Sequence, residues 1–233
     1  MATELKDRAG ERKSLAGEKN FITKDSGQRA AFASGSVRDT EAGKGAFDLL
    51  PFDILADVAG VMSTLRRTTT IAECWSAALQ ESLDVGMALW AQKRTDATSH
   101  LVCAAGYGLL AIECRDTGQV SGCESRSGLA KIPYIGIKRV AELYARGAIK
   151  YQRNNWCRVQ PASRTFSSML RHGWQAASGM EDEDHASGFV WNAFALLAYI
   201  KRDQIDNSMD NEWVGIKYQH EKDSAEKDNT VNV

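Results

Sequence analysis

The chain has 233 residues, of which 43% are hydrophobic and 25% are charged, a balance typical of a soluble globular protein of one ordinary domain or two small ones. The formal net charge of −1 excludes the global basic field that nonspecific DNA binding requires, so no direct DNA binding is expected. The five cysteines form no CxxC pair, and no apolar signal segment or membrane-length run is evident. We therefore expect reduced thiols, a cytoplasmic protein and no membrane contact.

Both ends of the chain are polar. Residues 1–42 are rich in charged residues, glycine and serine without periodicity, which predicts a flexible arm. Residues 206–233 have a similar composition and are predicted to form a polar C-terminal tail. The folded domain is therefore expected to span residues 43–205.

Apolar residues at helical spacing fill most of this domain. The predicted helices span residues 52–62, 71–93, 99–113, 137–151, 163–179 and about 182–201. Ser163 and Gly179 suit the two caps of the fifth helix, and Asp182 suits the N-cap of the sixth. Almost no segment alternates with the period of a strand, so the predicted fold class is all-α, a helical bundle.

One pair of segments indicates an internal repeat. Residues 95–114 resemble residues 182–201, and the helices that precede them are similar in length and polarity. The pattern predicts an internally duplicated helical hairpin, with a chance likeness between two apolar helices as the alternative. Residues 63–133 would then hold inserted or degenerate repeat helices.

Five ionisable side chains are crowded at residues 181–185, just before the apolar sixth helix. If that helix extends back by one turn, an acid, an imidazole, a glycine and an amide share one stripe of it: Glu181, His185, Gly188 and Asn192. Burying one neutral polar group without a partner costs about 2–7 kcal/mol, so these groups need partners. The acids either stabilise the positive end of the helix or bind a divalent cation such as Mg²⁺ or Mn²⁺.

Cations and flat side chains are present elsewhere in the domain. The segment 150–156, "KYQRNNW", combines Lys150 with Tyr151 and Trp156, and "LRH" adds Arg171 and His172. Cations can neutralise phosphate charge and flat rings can face a base, although each residue alone is typical of an ordinary surface or core. Glycine at position 188 leaves room either for a ligand or for close helix packing.

Four blocks occur in order along the chain: "GKGAFDLLP" (43–51), "GAIKYQRNNW" (147–156), "SRTFSSMLRH" (163–172) and "GMEDEDHASGFVWNAFALL" (179–197). They resemble the successive blocks of the phage dATP/dGTP diphosphohydrolase N-terminal-domain family, which is similar to the MazG-like all-α nucleoside triphosphate pyrophosphohydrolases. The resemblance implies a bundle, usually a homo-oligomer, that uses Mg²⁺ or Mn²⁺ to cleave a purine deoxynucleoside triphosphate into monophosphate and pyrophosphate. It also implies phage nucleotide metabolism in the host cell cytoplasm.

Within that family, particular side chains acquire expected roles. The expected metal ligands are Glu181, Asp184 and His185. The expected catalytic residues are Glu183, Asp184, His185 and His172. The expected substrate contacts are Lys150, Tyr151, Asn155, Trp156, Arg171 and Asn192.

The chain departs from the family pattern in its acids. Ala145 and Arg146 stand where an acid often precedes "GA", and Met180 replaces another acid. Asp48 and Glu81 are possible substitutes. These departures support an alternative hypothesis, a catalytically degenerate homologue that binds nucleotide or a partner protein without turnover.

Two further classes have less support. A phosphohydrolase of the HD type requires His followed by Asp, but the order here is Asp184–His185, and only four histidines are available. A virion-structural role has no support beyond the polar tails.

Overall fold

A computed structural model of the protein describes residues 29–39, 45–120 and 127–205. The chain divides into two units, residues 1–41 and residues 42–233. The predicted C-terminal tail lies outside the described residues, as does most of the predicted N-terminal arm.

The described part of the first unit is a short hairpin. Strand β1 (Arg29–Ala31) pairs antiparallel with β2 (Val37–Asp39), and Ala30 lies opposite Arg38. These strands cannot be predicted from the sequence, because three residues are too few to show an alternating pattern.

Six α-helices form the described part of the second unit. They are α1 (Phe52–Val61), α2 (Ile71–Trp90), α3 (Arg94–Thr117), α4 (Tyr134–Tyr151), α5 (Ala162–Ala177) and α6 (His185–Lys201). Helices α3 and α6 lie at the centre of the bundle, and almost every residue of α6 is buried. The predicted all-α class is confirmed, and the predicted helices agree with the observed ones except at their ends.

The ends of α5 show one wrong cap and one correct one. Pro161 precedes the first helical residue, so Ser163 lies buried in the first turn and is not the N-cap. At the other end Gly179 adopts φ +73°, and its N–H donates to the Ala176 carbonyl at 3.1 Å. The N–H of Met180 donates to the Gln175 carbonyl at 3.0 Å, which completes a Schellman motif and confirms Gly179 as the helix-ending residue.

Helix α3 is, by length and composition, the one helix in the described ranges that could cross a membrane. The expectation that no run approaches this length is therefore wrong. Most of the helix is buried inside the bundle, where it packs against α1, α2, α4 and α6. Burial on all sides explains its nearly continuous apolar sequence.

Two helical hairpins, α2–α3 and α5–α6, pack against each other. Helix α2 packs on α5, and α3 packs on α6. The register that matches residues 95–114 with 182–201 also matches Gly86 with Gly173 and Leu79 with Phe166. A Cβ on Gly86 would lie 3.2 Å from the Phe166 ring, and one on Gly173 would lie 3.0 Å from Leu79. The same contact thus occurs twice with its partners exchanged, which supports the internal duplication.

Replacing Gly173 by alanine tests this close contact between the hairpins. The new Cβ would also lie 2.9 Å from the buried Phe189 ring, so we expect a loss of about 1–3 kcal/mol in the free energy of unfolding. Urea denaturation followed by circular dichroism measures the loss. Gly60→Ala is the control, because Gly60 is exposed in α1 with no atom within 4 Å of a new Cβ, and we expect it to stabilise the protein by up to about 1 kcal/mol. Equal stability of the Gly173 variant and the unmodified protein would contradict the contact.

Candidate functional site

Two histidines and one carboxylate converge where α5 meets the beginning of α6. His172 of α5 and His185, the first residue of α6, bring their Nδ1 atoms to 3.1 Å from each other. The Glu183 Oε1 atom lies 3.5 Å from His172 Nδ1 and 3.3 Å from His185 Nδ1. We call these three residues the histidine–carboxylate group. Its ligand atoms lie close enough together to hold one metal ion.

Asp182 fixes the orientation of His185. Its Oδ1 atom lies 2.6 Å from His185 Nε2, and this hydrogen bond holds the pKa of Asp182 below its ordinary value. The network assigns the Nε2 proton of a neutral His185 to this bond, which leaves the Nδ1 lone pair facing His172 and Glu183. A carboxylate behind a histidine is the usual support of a metal-binding imidazole.

The protonation of His172 also suits metal binding. Burial lowers the pKa of His172 below 6.5, and the neighbouring Arg171 charge lowers it further, against the opposite effect of Glu183. The ring is therefore neutral at pH 7, the form that binds a metal.

Gly188 makes room for His172. A Cβ at position 188 would lie 3.0 Å from the His172 ring atoms Cγ and Nδ1, so the glycine serves close helix packing here. Asn192 donates from Nδ2 to the Gly188 carbonyl at 2.7 Å, a bond within its own helix. The stripe of His185, Gly188 and Asn192 is buried, as the periodicity predicts, but Asn192 lies against its own backbone.

Asp184, and not Asp182, caps α6. Its Oδ1 accepts from the Ser187 N–H at 3.1 Å, its Oδ2 accepts from the Ser187 hydroxyl at 2.8 Å, and Arg139 Nη2 lies 2.5 Å from Oδ1. Burial raises the pKa of Asp184, but the hydrogen bonds from Ser187 and the charge of Arg139 outweigh it and hold the pKa below 3.8. The predicted start of α6 at Asp182 is therefore wrong, because Asp182 binds the His185 ring instead.

Glu181 lies outside the helix and outside the histidine–carboxylate group. Its side chain is 74% exposed and contacts Arg115 of α3 at 2.6 Å. Of the expected metal ligands, only His185 belongs to the histidine–carboxylate group. The other two members, His172 and Glu183, are among the expected catalytic residues. Arg171 Nη1 lies 3.9 Å from Glu183 and places one cation beside the group.

A pocket open to solvent lies among α4, the segment that follows it and α6. Three expected substrate contacts line it: Tyr151, Asn155 and Trp156. Together with Tyr144 and Trp191 they form what we call the aromatic pocket. Lys150 is exposed with its Nζ 4.9 Å from the centre of the Tyr151 ring. Arg171 and Asn192 are not among the residues that line the pocket.

The possible substitute acids lie elsewhere. Asp48 forms an ion pair with Arg153. Glu81 and Asp84 of α2 form a second cluster with His100 of α3, where His100 Nδ1 lies 2.8 Å from Glu81. This cluster belongs to the other hairpin.

Several residues of the site could not be predicted from the sequence. Arg139 resembles any exposed helix arginine, and its contact with Asp184 joins α4 to α6 across 45 positions. Tyr144 and Trp191 have the spacing of core aromatics. No local signal distinguishes these residues from ordinary packing.

The fold and the site define an all-α bundle protein whose α5–α6 hairpin carries a histidine–carboxylate group suited to a divalent cation. Residues 123–209 match the model of the family described as dATP/dGTP diphosphohydrolase, N-terminal. This segment, which contains α4, α5 and α6, is similar to that family, as the sequence blocks predict. No curated protein and no solved structure matches the chain. The likeness to MazG-like enzymes stays a prediction.

Proposed function

We propose that the protein hydrolyses a purine (deoxy)nucleoside triphosphate to the monophosphate and pyrophosphate with a divalent cation. The observation that carries the proposal is the convergence of His172, Glu183 and His185 within the segment that matches a family named for dATP/dGTP diphosphohydrolase. We further propose, from the family resemblance, that it acts on the nucleotide pool in the cytoplasm of a phage-infected host cell, as a homo-oligomer.

The donor set fits a divalent metal. Two imidazole nitrogens and one carboxylate oxygen suit Mn²⁺ better than Mg²⁺, which prefers oxygen ligands and retains several waters. A bound cation would supply charge stabilisation at the phosphates and activate a water molecule. Asp182 would keep the His185 ring in its ligating orientation, and Asp184 would hold the start of α6 in place. Glu181 is also expected from the sequence to bind the metal, and it would do so only from the exposed loop before α6.

The substrate would contact two regions of the protein, one on the α5–α6 hairpin and one at the end of α4. Arg171 lies beside Glu183 and would neutralise phosphate charge, with the exposed Lys150 as a second cation. Tyr151, Asn155 and Trp156 would contact the base from the aromatic pocket. Asn192 would support the site by stiffening α6 beneath His172.

Pyrophosphate release tests the proposal. We expect the purified protein with Mn²⁺ to release pyrophosphate and a monophosphate from dATP and dGTP faster than from dCTP and dTTP. Adding EDTA should abolish the release, and Mg²⁺ should restore it less effectively than Mn²⁺. Separating the nucleotides by chromatography shows whether monophosphate or diphosphate forms. Diphosphate with inorganic phosphate, or no hydrolysis with either metal, would contradict the proposed reaction.

A second candidate function is nucleotide binding without turnover. The observation that favours it is on α4, where Arg146 stands at a position at which the family resemblance implies an acid. Arg139 and Arg146 lie 2.5 Å and 4.0 Å from Asp184. Calorimetric binding of dGTP without any pyrophosphate release would support this function over the first.

A further inference from the structure

Two residues that line the aromatic pocket carry buried polar atoms without a hydrogen-bond partner among the described residues. They are the hydroxyl oxygen of Tyr144 and the indole Nε1 of Trp156. Tyr144 is 3% exposed and Trp156 is 8% exposed. Buried polar groups are nearly always paired, so each exception requires an explanation.

Aromatic rings pack together around these atoms. The Tyr144 and Trp156 rings meet edge to face with centres 6.0 Å apart, and the Trp191 ring centre lies 6.2 Å from that of Tyr144. The amides of Asn154 and Asn155 line the same pocket. Apolar walls with a few polar groups are the usual composition of a small-molecule site.

The segment that carries Trp156 is fixed in a strained conformation. Gln152, Asn154 and Val159 adopt φ values of +77°, +58° and +56°, in the region that side chains rarely occupy. The Tyr199 hydroxyl donates to the Trp156 carbonyl at 2.7 Å and anchors the segment from α6. Such strain persists where the surrounding structure imposes it, often beside a bound ligand.

We infer that the aromatic pocket binds the purine base of the substrate and that Trp156 and Tyr144 are the residues that recognise it. The Trp156 N–H would donate to a ring nitrogen of the base, since adenine and guanine both present such acceptors. The Tyr144 hydroxyl would supply the second hydrogen bond, and the exposed Tyr151 ring would face the base. This inference rests on the proposed function and adds Tyr144 as a residue that determines specificity.

Removing each polar atom tests the inference: Tyr144→Phe keeps the ring, and Trp156→Phe replaces the indole with a smaller phenyl ring. For Trp156→Phe and Tyr144→Phe we expect the KM for dATP and dGTP to rise by about 3- to 10-fold each, because one hydrogen bond to the base is lost. The kcat should change less than about twofold, since neither residue contacts the histidine–carboxylate group. The Tyr144 variant should unfold at the same temperature or a higher one, because its unpaired hydroxyl is gone. The Trp156 variant should unfold at a lower temperature, because the smaller ring leaves a cavity in the core.

Matched controls are available at exposed positions outside the pocket. Trp174→Phe and Tyr134→Phe change side chains that are 51% and 61% exposed, and they should leave KM and kcat unchanged. An unchanged KM in both pocket variants, with an active unmodified protein, would overturn the inference while leaving the proposed reaction intact.

Direct measurement of nucleotide binding distinguishes the proposed hydrolysis from the proposed binding of the base in the aromatic pocket. If the unmodified protein releases no pyrophosphate, the proposed function fails, and calorimetry with dGMP and dAMP still tests the pocket. Weaker binding of both monophosphates to the Trp156 variant than to the Trp174 variant would support the pocket as a base site. Equal binding to both variants would overturn it.

Discussion

Replacing His172 or His185 by alanine is expected to lower metal-dependent pyrophosphate release by at least about 100-fold. Each substitution removes one of the two imidazole nitrogens that face Glu183, and losing even a supporting residue of a metal site typically costs about 10- to 100-fold. Calorimetric titration with Mn²⁺ should show a matching loss of metal affinity. Glu183→Gln should have a comparable effect, and because this side chain is 54% exposed, the fold should be unaffected.

His100→Ala is the matched control for the histidine variants. His100 forms the cluster with Glu81 and Asp84 in the α2–α3 hairpin, outside the segment that matches the family. We expect this variant to keep its activity. Loss of activity in the His100 variant, with normal activity of the His172 and His185 variants, would show that the metal site lies in the α2–α3 hairpin instead.

Replacing Asp184 by alanine is expected to lower the free energy of unfolding by about 2–4 kcal/mol. The change removes the N-cap of α6, typically worth about 1 kcal/mol, and leaves the mostly buried Arg139 without one of its carboxylate partners. Because the pKa of Asp184 is lower in the folded protein, its stabilising effect is complete above about pH 4 and is lost as the pH falls through that lowered pKa. Urea denaturation at neutral and acid pH should therefore show a difference that shrinks in acid.

Glu181→Ala is the control for the Asp184 variant. Glu181 lies in the same loop with an exposed ion pair to Arg115, and such pairs contribute only about 0–1 kcal/mol. An Asp184 variant of unchanged stability without activity would contradict the capping role and would support Asp184 as a metal ligand, which is its role in the sequence prediction.

Much of the fold could be predicted because helices have a local signature. Apolar residues recur every three to four positions in the predicted helices, and the segment from Gly179 to Met180 ends α5 in the way that its glycine indicates. The buried stripe of His185, Gly188 and Asn192 follows from the same period.

The precise roles of the charged residues could not be predicted from the sequence. Asp182, Glu183 and Asp184 are all plausible at a helix N-terminus, and the choice between them depends on side chains distant in sequence. Arg139 of α4 selects Asp184 as the cap, and the His185 ring engages Asp182. The pairing of His172 with His185 likewise depends on how two helices pack.

The α2–α3 hairpin packs on the α5–α6 hairpin within the same chain. In the register that relates the two hairpins, the positions of His172, Glu183 and His185 correspond to Val85, Asp96 and Thr98, which offer no comparable donor set. The α5–α6 hairpin thus carries the proposed metal site, and the α2–α3 hairpin covers the faces on which it packs. Because α2 packs on α5 and α3 packs on α6, these faces are buried within one chain, and a second copy of the protein would contact other faces of the bundle.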